Sequence, residues 1–234
     1  MKKDPLYHRD RFPPVVISHC VWLYYRFSLS YRDIELMMAE RGLSLTYETI
    51  RYWGLKFGSG YAKKLKVGKQ CGDTWHLDEV YCRIGGEVMH LWRAVDQDGQ
   101  TLDILVQRKR NKDAAERLFR KLRKHGDESP RRIITDKLAS YIKPCKTLFA
   151  NTAHIRNKGA NNRAENSHQP TRLREAKMRC FKSLKQAQRF LSNFGTIYDY
   201  FRYDQHKTTA STHRILRAQS FEFWRNVAQN PSAA

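Results

Sequence analysis

The chain has 234 residues, enough for one sizeable domain or for a small domain attached to a larger one. Its 44 lysines and arginines outnumber 23 aspartates and glutamates, and the resulting net charge of +21 indicates an anionic partner, either nucleic acid or a membrane surface. Nucleic acid is favoured, because no segment approaches the ~18 consecutive apolar residues of a membrane span and nothing resembles a signal peptide.

The first part of the chain is predicted to be entirely helical. An apolar segment runs from Val15 to Phe27, and Ser30 then offers an N-cap, with Asp33 at the third helical position. Gly42 is placed to end that helix in a left-handed cap, and a second helix is expected to start near Thr46. Two short helices joined in this way are typical of a helix-turn-helix.

The second of these helices carries a polar face that could enter a major groove. Thr49, Tyr52 and Lys56 share that face, and Arg51 lies nearby. The competing interpretation is an ordinary helical hairpin, whose exposed face is polar because it is solvated. The net charge and the acidic residues described below favour DNA binding through these four side chains.

The next part of the chain shows the pattern of antiparallel strands. Strands are predicted at Trp75–Ile84 and Glu87–Asp96, on either side of Gly85-Gly86, which is a strong signal for a two-residue hairpin. Asp98-Gly99 turns the chain into a third strand at Thr101–Gln107. Aspartate is favoured in such turns for local hydrogen bonding, so Asp96 and Asp98 are not expected to be catalytic.

Helices and strands alternate in the remainder of the chain. The predicted elements are a helix at Asn111–His125, a buried strand at Arg131–Asp136, a short strand at Thr152–Arg156 and a long helix at Ser183–Tyr203. We therefore divide the chain into a helix-turn-helix region, residues 1–66, and an α/β region with C-terminal helices, residues 67–234. The five cysteines are odd in number and form no CxxC pair, which indicates reduced thiols in a cytosolic protein.

Three acidic residues occur in contexts that suggest a shared site. Asp78 and Asp136 each close an apolar, β-favouring run, and Glu165 lies in a polar stretch that can begin a helix. Carboxylates brought together in this way hold divalent metal ions where a phosphodiester is cut or joined. Magnesium, with manganese as a substitute, is the expected ion, and in-line phosphoryl transfer is the expected chemistry.

The order of these residues, followed by the basic Arg172, resembles the DDE transposases. The wider context resembles the bacterial insertion sequence six family, over residues from about Phe12 to Phe201. The matching segments are SYRDIELMMAERGL, WHLDEVY, AVDQDGQTLDILV, ITDKLASY and NNRAENSHQPTR.

The resemblance implies a ribonuclease-H-like catalytic domain in which Asp78, Asp136 and Glu165 are the catalytic and metal-binding residues. It further implies a DNA transposase that cleaves the 3′ ends of an insertion sequence and transfers them to target DNA, forming cointegrates by replicative transposition. The partners would be double-stranded transposon ends and target DNA, and the protein would act as a homo-oligomer in the bacterial cytoplasm.

The sequence also supports an expectation for each of four neighbours of the acidic trio. By strand alternation Glu79 points away from Asp78 and is not expected to reach the site. Arg172, by resemblance, holds a phosphate of the DNA end, and His168 is expected to contact DNA more than to neighbour the metal. Pro170 is expected to kink or break the helix between them.

Two rival functions remain open on the sequence alone. One is a DNA-binding regulator or an inactive transposase relic, which would need no divalent metal. The other is a structure-specific nuclease on the same fold, which would cut DNA without joining it. The basic stretches, of which Arg108-Lys109-Arg110 is one, are most simply phosphate contacts under each of these readings.

Overall fold

A computed structural model of the chain describes residues 5–67, 71–124, 129–157, 159–161, 164, 167–178, 180–203 and 208–229. Two compact units are present: Met1–Lys69 together with Asn193–Ala234, and Gln70–Ser192. The C-terminal residues thus belong by packing to the N-terminal unit, whereas the sequence grouped them with the α/β region. The functional division at residues 66 and 67 stays a prediction.

The first unit begins with the predicted helical pair. Its helices are α1 (Pro14–Arg26), α2 (Tyr31–Ala39) and α3 (Tyr47–Lys66). A reciprocal capping box starts α2, because the Ser30 hydroxyl accepts the Asp33 N–H at 3.1 Å and the Asp33 carboxylate accepts the Ser30 N–H at 2.7 Å. The chain then turns at Gly42, whose φ of 73° favours glycine.

Aromatic side chains build the core of this unit. Helix α3 contributes Phe57, which stacks on Tyr7 with ring centroids 4.7 Å apart, and Tyr61. Tyr61 meets Trp224 edge to face at 5.0 Å; Trp224 lies on the last helix of the unit, Ala210–Gln229. Tyr7 also donates to the carbonyl of Ala228. These contacts tie the end of the chain to α3.

The second unit is organised around a five-stranded mixed sheet. The strands are β1 (Thr74–Ile84), β2 (Glu87–Asp96), β3 (Thr101–Gln107), β4 (Arg132–Thr135) and β5 (Ala153–Arg156). Their order is β3-β2-β1-β4-β5; the first three strands are antiparallel, and β4 and β5 run parallel to β1. This is the ribonuclease-H-like arrangement that the sequence predicted.

The hairpin turns follow local chemistry as predicted. Gly85 and Gly86 have φ values of 58° and 85°, the left-handed conformation that the tight β1–β2 turn requires. In the β2–β3 turn the Asp96 carboxylate accepts the N–H groups of Asp98 at 3.0 Å and Gln100 at 2.9 Å. Asp96 is therefore a turn residue, as expected.

Helices of this unit lie on both faces of the sheet. They are α4 (Lys112–Leu122), α5 (Ile142–Leu148), α6 (Gln169–Lys177) and α7 (Leu184–Tyr200), the last of which crosses the boundary between the compact units at residues 192 and 193. Helix α4 packs on the Trp92 face, and Thr171 of α6 accepts a 3.0 Å hydrogen bond from Arg93, the neighbouring β2 residue on the other face. Leu118, Phe119 and Leu122 on α4 pack against Trp75 and Leu77 of β1. This core holds the first half of β1 beside β4, whose Ile133 belongs to the same cluster.

Cysteines and membrane propensity add little to the architecture. All five cysteines belong to the described residues and none forms a disulfide; Cys20, Cys82 and Cys145 are buried. Within the described ranges, none of the helices combines the length and the apolar character that crossing a bilayer demands.

Candidate active site

Parallel pairing of β1 with β4 brings the two predicted aspartates together. The register pairs Leu77 with Thr135, and Asp78 and Asp136 are the residues that follow each partner. Asp136 lies just past the carboxyl end of β4, the end at which α/β proteins place their ligand sites, and Asp78 lies beside it within β1, which continues to Ile84. Oxygens of Asp78, Asp136 and a third residue, Glu79, all lie within 4.8 Å of one another.

The presence of Glu79 in this group overturns the expectation that it faces away. Its backbone does follow the alternation, since Glu79 pairs with Trp92 on the core-facing side of the sheet. However, β4 ends at Thr135, so nothing in that strand covers the flank of β1 at this level. The longer side chain of glutamate therefore carries its carboxylate round the strand end to Asp136.

Two donors from different elements fix the Glu79 carboxylate. The hydroxyl of Tyr141, in the short helical turn Ala139–Tyr141, donates to one oxygen. Arg110, in the loop before α4, donates from Nε to the other oxygen at 2.7 Å and from Nη2 to the same atom. The Glu79 side chain is only 2% exposed, so its charge is satisfied almost wholly by these two groups.

Arg110 also extends toward Asp136. Its Nη2 lies 3.6 Å from Asp136 Oδ2, and its side chain is 45% exposed. The sequence treated Arg110 as one of several surface phosphate contacts, and the structure instead places it within the carboxylate cluster. Periodicity could not reveal this role, because the pairing depends on a loop and a strand that are distant in the chain. The buried Tyr141 offered a weak signal, since a buried hydroxyl needs a partner.

Burial shapes the protonation of these groups. It raises the pKa of Glu79, while hydrogen bonds from Tyr141 and Arg110 oppose that rise. Burial also raises the pKa of Tyr141 well above its usual value, and the charge of Glu79 acts in the same direction. Tyr141 is therefore a hydrogen-bond donor at neutral pH and not a base.

His168 is a neighbour of Asp78 and not an exposed DNA contact, which corrects the expectation from sequence. It is 2% exposed, and its Nε2 lies 3.5 Å from Asp78 Oδ2. Burial lowers its pKa, and the nearby Asp78 partly offsets that effect. The predicted break at Pro170 is present, because α6 begins at Gln169 and holds Pro170 in its first turn, where proline is tolerated.

Glu165 lies outside the described residues, but both flanks of its segment are anchored beside β1. On one side, Asn161 Nδ2 donates to the Leu77 carbonyl at 2.8 Å. On the other, Ser167 is buried and donates to the carbonyl of the buried Ala164 at 2.6 Å. His168, next in the chain, adjoins Asp78 as described. The role of Glu165 as the third acidic residue of the site stays a prediction.

Arg172 is exposed on α6. It borders a cavity of about 450 Å³ with Tyr81, Arg83 and Glu175 among the lining residues. Tyr81 is 73% exposed, and Glu175 accepts the main-chain N–H of Arg83 at 3.1 Å. An arginine and an exposed aromatic ring in a shallow cavity suit contact with nucleic acid.

The predicted DNA-binding face of α3 is only partly available. Tyr52 is 51% exposed, and Arg51 is exposed beside Glu48 at 3.3 Å. Thr49 shares a hydroxyl contact of 3.0 Å with the N-cap Thr46. Lys56, by contrast, forms a 2.6 Å ion pair with Asp10 and is only 20% exposed. A DNA contact by Lys56 would have to compete with this pair.

The carboxylate cluster suits a hard divalent cation. Mg²⁺ prefers carboxylate and water oxygens, and in the described part of the site Asp78 and Asp136 each offer one, within 4.8 Å of an oxygen of Glu79, whose carboxylate already accepts from Arg110 and Tyr141. Arg110 offsets only part of that negative charge. The donor set therefore fits the ion that the sequence predicted. No cysteine belongs to this group of described ligand residues.

Comparisons with known proteins agree with this geometry. Residues 72–204 match a family model described as a DDE domain. The chain is 30% identical over 200 residues to the transposase for the insertion sequence-like element IS431mec of Staphylococcus aureus, covering 82% of this chain and 87% of that protein. It is 29% identical, with the same coverage, to the transposase for insertion sequence element IS257 in transposon Tn4003 of the same species.

A solved structure gives a weaker match. The HTLV-2 integrase catalytic core domain in complex with magnesium aligns with a TM-score of 0.42 at 12% identity. The alignment covers 61% of this chain and 96% of that chain.

Proposed function

Because the chain belongs to the insertion sequence six family of DDE transposases, we propose that it cleaves the 3′ ends of an insertion sequence and joins them to target DNA. The observation that carries the proposal is the parallel register that places Asp78 and Asp136 side by side. Cointegrates formed by replicative transposition are the proposed products.

Asp78, Asp136 and Glu165 are the proposed catalytic and metal-binding residues. They would hold Mg²⁺, or Mn²⁺ in its place, through their carboxylate oxygens. When bound, the metal supplies charge stabilisation for the attacking and leaving oxygens of an in-line displacement. The protein's part is to hold these carboxylates at one edge of the sheet, since β1 and β4 are fixed by the core beneath them.

The two chemical steps need no covalent link to the protein. In cleavage, the oxygen of water attacks phosphorus, a new P–O bond forms and the bond to the 3′ oxygen breaks. In joining, the freed 3′-hydroxyl attacks a target phosphodiester in the same way and displaces the target's 3′ oxygen. Protons leave the attacking oxygen and reach the leaving oxygen through solvent. Every step exchanges one phosphodiester bond for another or for a phosphate end.

DNA recognition is assigned to the helix-turn-helix and to α6. Thr49, Arg51, Tyr52 and Lys56 of α3 are proposed to contact the terminal repeats, and Arg172 to hold a phosphate of the DNA end. Among these residues Tyr52 and Arg51 are the most exposed, so they should contribute most. Work on two DNA ends and a target suits a homo-oligomer acting in the bacterial cytoplasm.

The direct test is a cleavage and joining assay with oligonucleotide ends in Mg²⁺. Asp78→Asn, Asp136→Asn and Glu165→Gln should each reduce joined product by about 10³-fold or more, because an essential metal contact is worth several kcal/mol. Asp98→Asn is the matched control, since Asp98 belongs to an exposed turn. End binding should persist in all four variants.

The outcomes separate the rival functions. Specific binding without any cut or joined product in wild type would favour a regulator or a relic. Cut product without joined product would favour a nuclease. Full joining by any of the three carboxamide variants would refute the catalytic assignment.

A further inference from the structure

Arg110 is the one basic side chain that the described residues place between Glu79 and Asp136. It uses Nε and Nη2 for Glu79 Oε1, and Nη2 also lies 3.6 Å from Asp136 Oδ2. The opposite edge of the guanidinium, at Nη1, has no acceptor among the described residues. The side chain as a whole is 45% exposed, so an incoming ligand can reach Arg110 from solvent.

The anchor beneath Arg110 is unusually firm for a loop residue. Glu79 is 2% exposed, and its second oxygen is occupied by the fully buried Tyr141. A guanidinium held along its Nε–Nη2 edge has a fixed plane, because the group is rigid and its donors diverge in a set geometry. Arg110 is therefore held in one orientation beside Asp136, whose Oδ2 lies 3.6 Å from its Nη2.

A neighbouring arginine shows what an ordinary surface pair looks like in the same loop. Arg108 contacts Glu87 at 2.9 Å, with both side chains largely exposed. Such pairs contribute little, because solvent screens them and both side chains remain mobile. Arg110 differs in having a buried carboxylate as its anchor and the metal-binding aspartates as its neighbours.

We propose that Arg110 is a further catalytic residue, donating from its free edge to a non-bridging oxygen of the phosphate under attack. Glu79 and Tyr141 are the positioning residues that hold it. Negative charge spread over the phosphoryl oxygens is stabilised by an arginine fixed in advance, which needs no reorganisation during the reaction. This inference rests on the proposed transposase function and extends it to a residue outside the acidic trio.

The first experiment measures cleavage and joining by Arg110→Gln, with Arg120→Gln as the matched control, since Arg120 is 67% exposed and pairs only across a helix surface with Glu116. Arg110→Gln should lower the rate constant at saturating DNA by about 10²- to 10³-fold, the effect of removing one preorganised donor. Arg120→Gln should remain within about twofold of wild type. End binding and Mn²⁺ binding, measured in the absence of turnover, should stay close to wild type in both. An unchanged rate in Arg110→Gln would overturn the proposal.

Chemical rescue separates a catalytic from a merely structural role. Arg110→Ala should regain part of its activity when guanidinium is added at low concentration, and an equal concentration of sodium chloride should give no gain. The activity of Arg110→Lys should stay below that of wild type, because an ammonium group lacks the forked pair of donors that binds Glu79. A variant that melts normally and yet shows no rescue would argue against a direct contact with phosphate.

A double-mutant cycle tests the positioning role of Glu79. If Glu79 acts through Arg110, Glu79→Gln combined with Arg110→Gln should be no slower than Arg110→Gln alone. Multiplied losses would show that Glu79 acts independently and would overturn its assignment as an anchor. Asp136→Asn runs in parallel: an inactive Asp136→Asn with an unimpaired Arg110→Gln removes only this inference, whereas an active Asp136→Asn removes the proposed function.

Discussion

At the scale of single residues, Glu79 shows how a buried carboxylate beside other carboxylates is supplied with hydrogen-bond donors. Two donors reach its two oxygens, one from Tyr141 and one from Arg110. A buried carboxylate without such donors would pay a large desolvation cost. Because the Glu79 side chain is 2% exposed, water cannot readily replace either donor.

The first prediction removes one of these donors. Tyr141→Phe should lower the free energy of unfolding by about 1–3 kcal/mol, because it leaves a buried carboxylate oxygen without its hydrogen bond. Tyr81→Phe is the control, since Tyr81 is 73% exposed and should change stability by less than about 0.5 kcal/mol. Urea titration of both variants provides the measurement. Equal stability of the two would show that Tyr141 does not support Glu79.

Sequence reasoning succeeded and failed at this scale for identifiable reasons. Asp78 and Asp136 were predictable as members of one site because each closes an apolar, β-favouring run, although β1 continues past Asp78 to Ile84. Glu79 was assigned away from the site because alternation describes the interior of a strand and not the place where its partner ends. The place of His168 beside Asp78 could not be predicted, because its burial to 2% exposure depends on tertiary packing that no local pattern contains.

At the scale of elements, residues close in the chain determine where most helices and strands begin and end. The capping box at Ser30, the cap at Thr46 and the glycine turn at Gly85-Gly86 each appear where the sequence predicted them. Such features depend only on residues close in the chain, which explains why they could be predicted. The close approach of α3 to α1 could not, since it depends on the absence of a side chain at Gly58.

The second prediction contrasts two glycines of α3. A Cβ added at Gly58 would lie 2.7 Å from the Tyr25 hydroxyl and 2.9 Å from its ring, whereas one at Gly54 would find its nearest atom at 3.8 Å. Gly58→Ala should therefore destabilise the protein by about 1–3 kcal/mol through overpacking. Gly54→Ala should stabilise it by up to about 1 kcal/mol, because alanine favours a helix.

Thermal or urea unfolding of both glycine variants makes the comparison direct. The sign should differ between the two positions, although they lie one helical turn apart on the same helix. Stabilisation by both substitutions would mean that Gly58 does not sustain a close contact with Tyr25.

At the scale of the whole molecule, the net positive charge and the topology of the sheet both favour bringing DNA to the acidic site. The net charge of +21 attracts the DNA backbone, while the sheet confines the negative charge of Asp78, Glu79 and Asp136 to one edge. A strongly basic protein thus retains an acidic site at which metal and phosphate can meet. The ribonuclease-H-like order of strands supplies this edge, because it places β4 beside β1 in parallel.

The third prediction follows from the overall charge. Affinity for double-stranded ends should fall about 10³-fold or more as salt rises from roughly 50 to 200 mM, if several phosphates are contacted. Fluorescence anisotropy gives the slope of log affinity against log salt concentration, measured for a labelled transposon end and for a scrambled duplex of equal length. Salt-independent affinity would contradict backbone binding by the basic surface.

The measurement that tests the central claim most directly is a mating-out assay for cointegrates with native flanking DNA, comparing wild type with Asp136→Asn. Cointegrates from wild type alone, with both proteins binding the ends equally, are the predicted result and would establish a metal-dependent transposase. Cointegrates from Asp136→Asn at the wild-type frequency would contradict it, since the carboxylate at the end of β4 would then have no part in the chemistry.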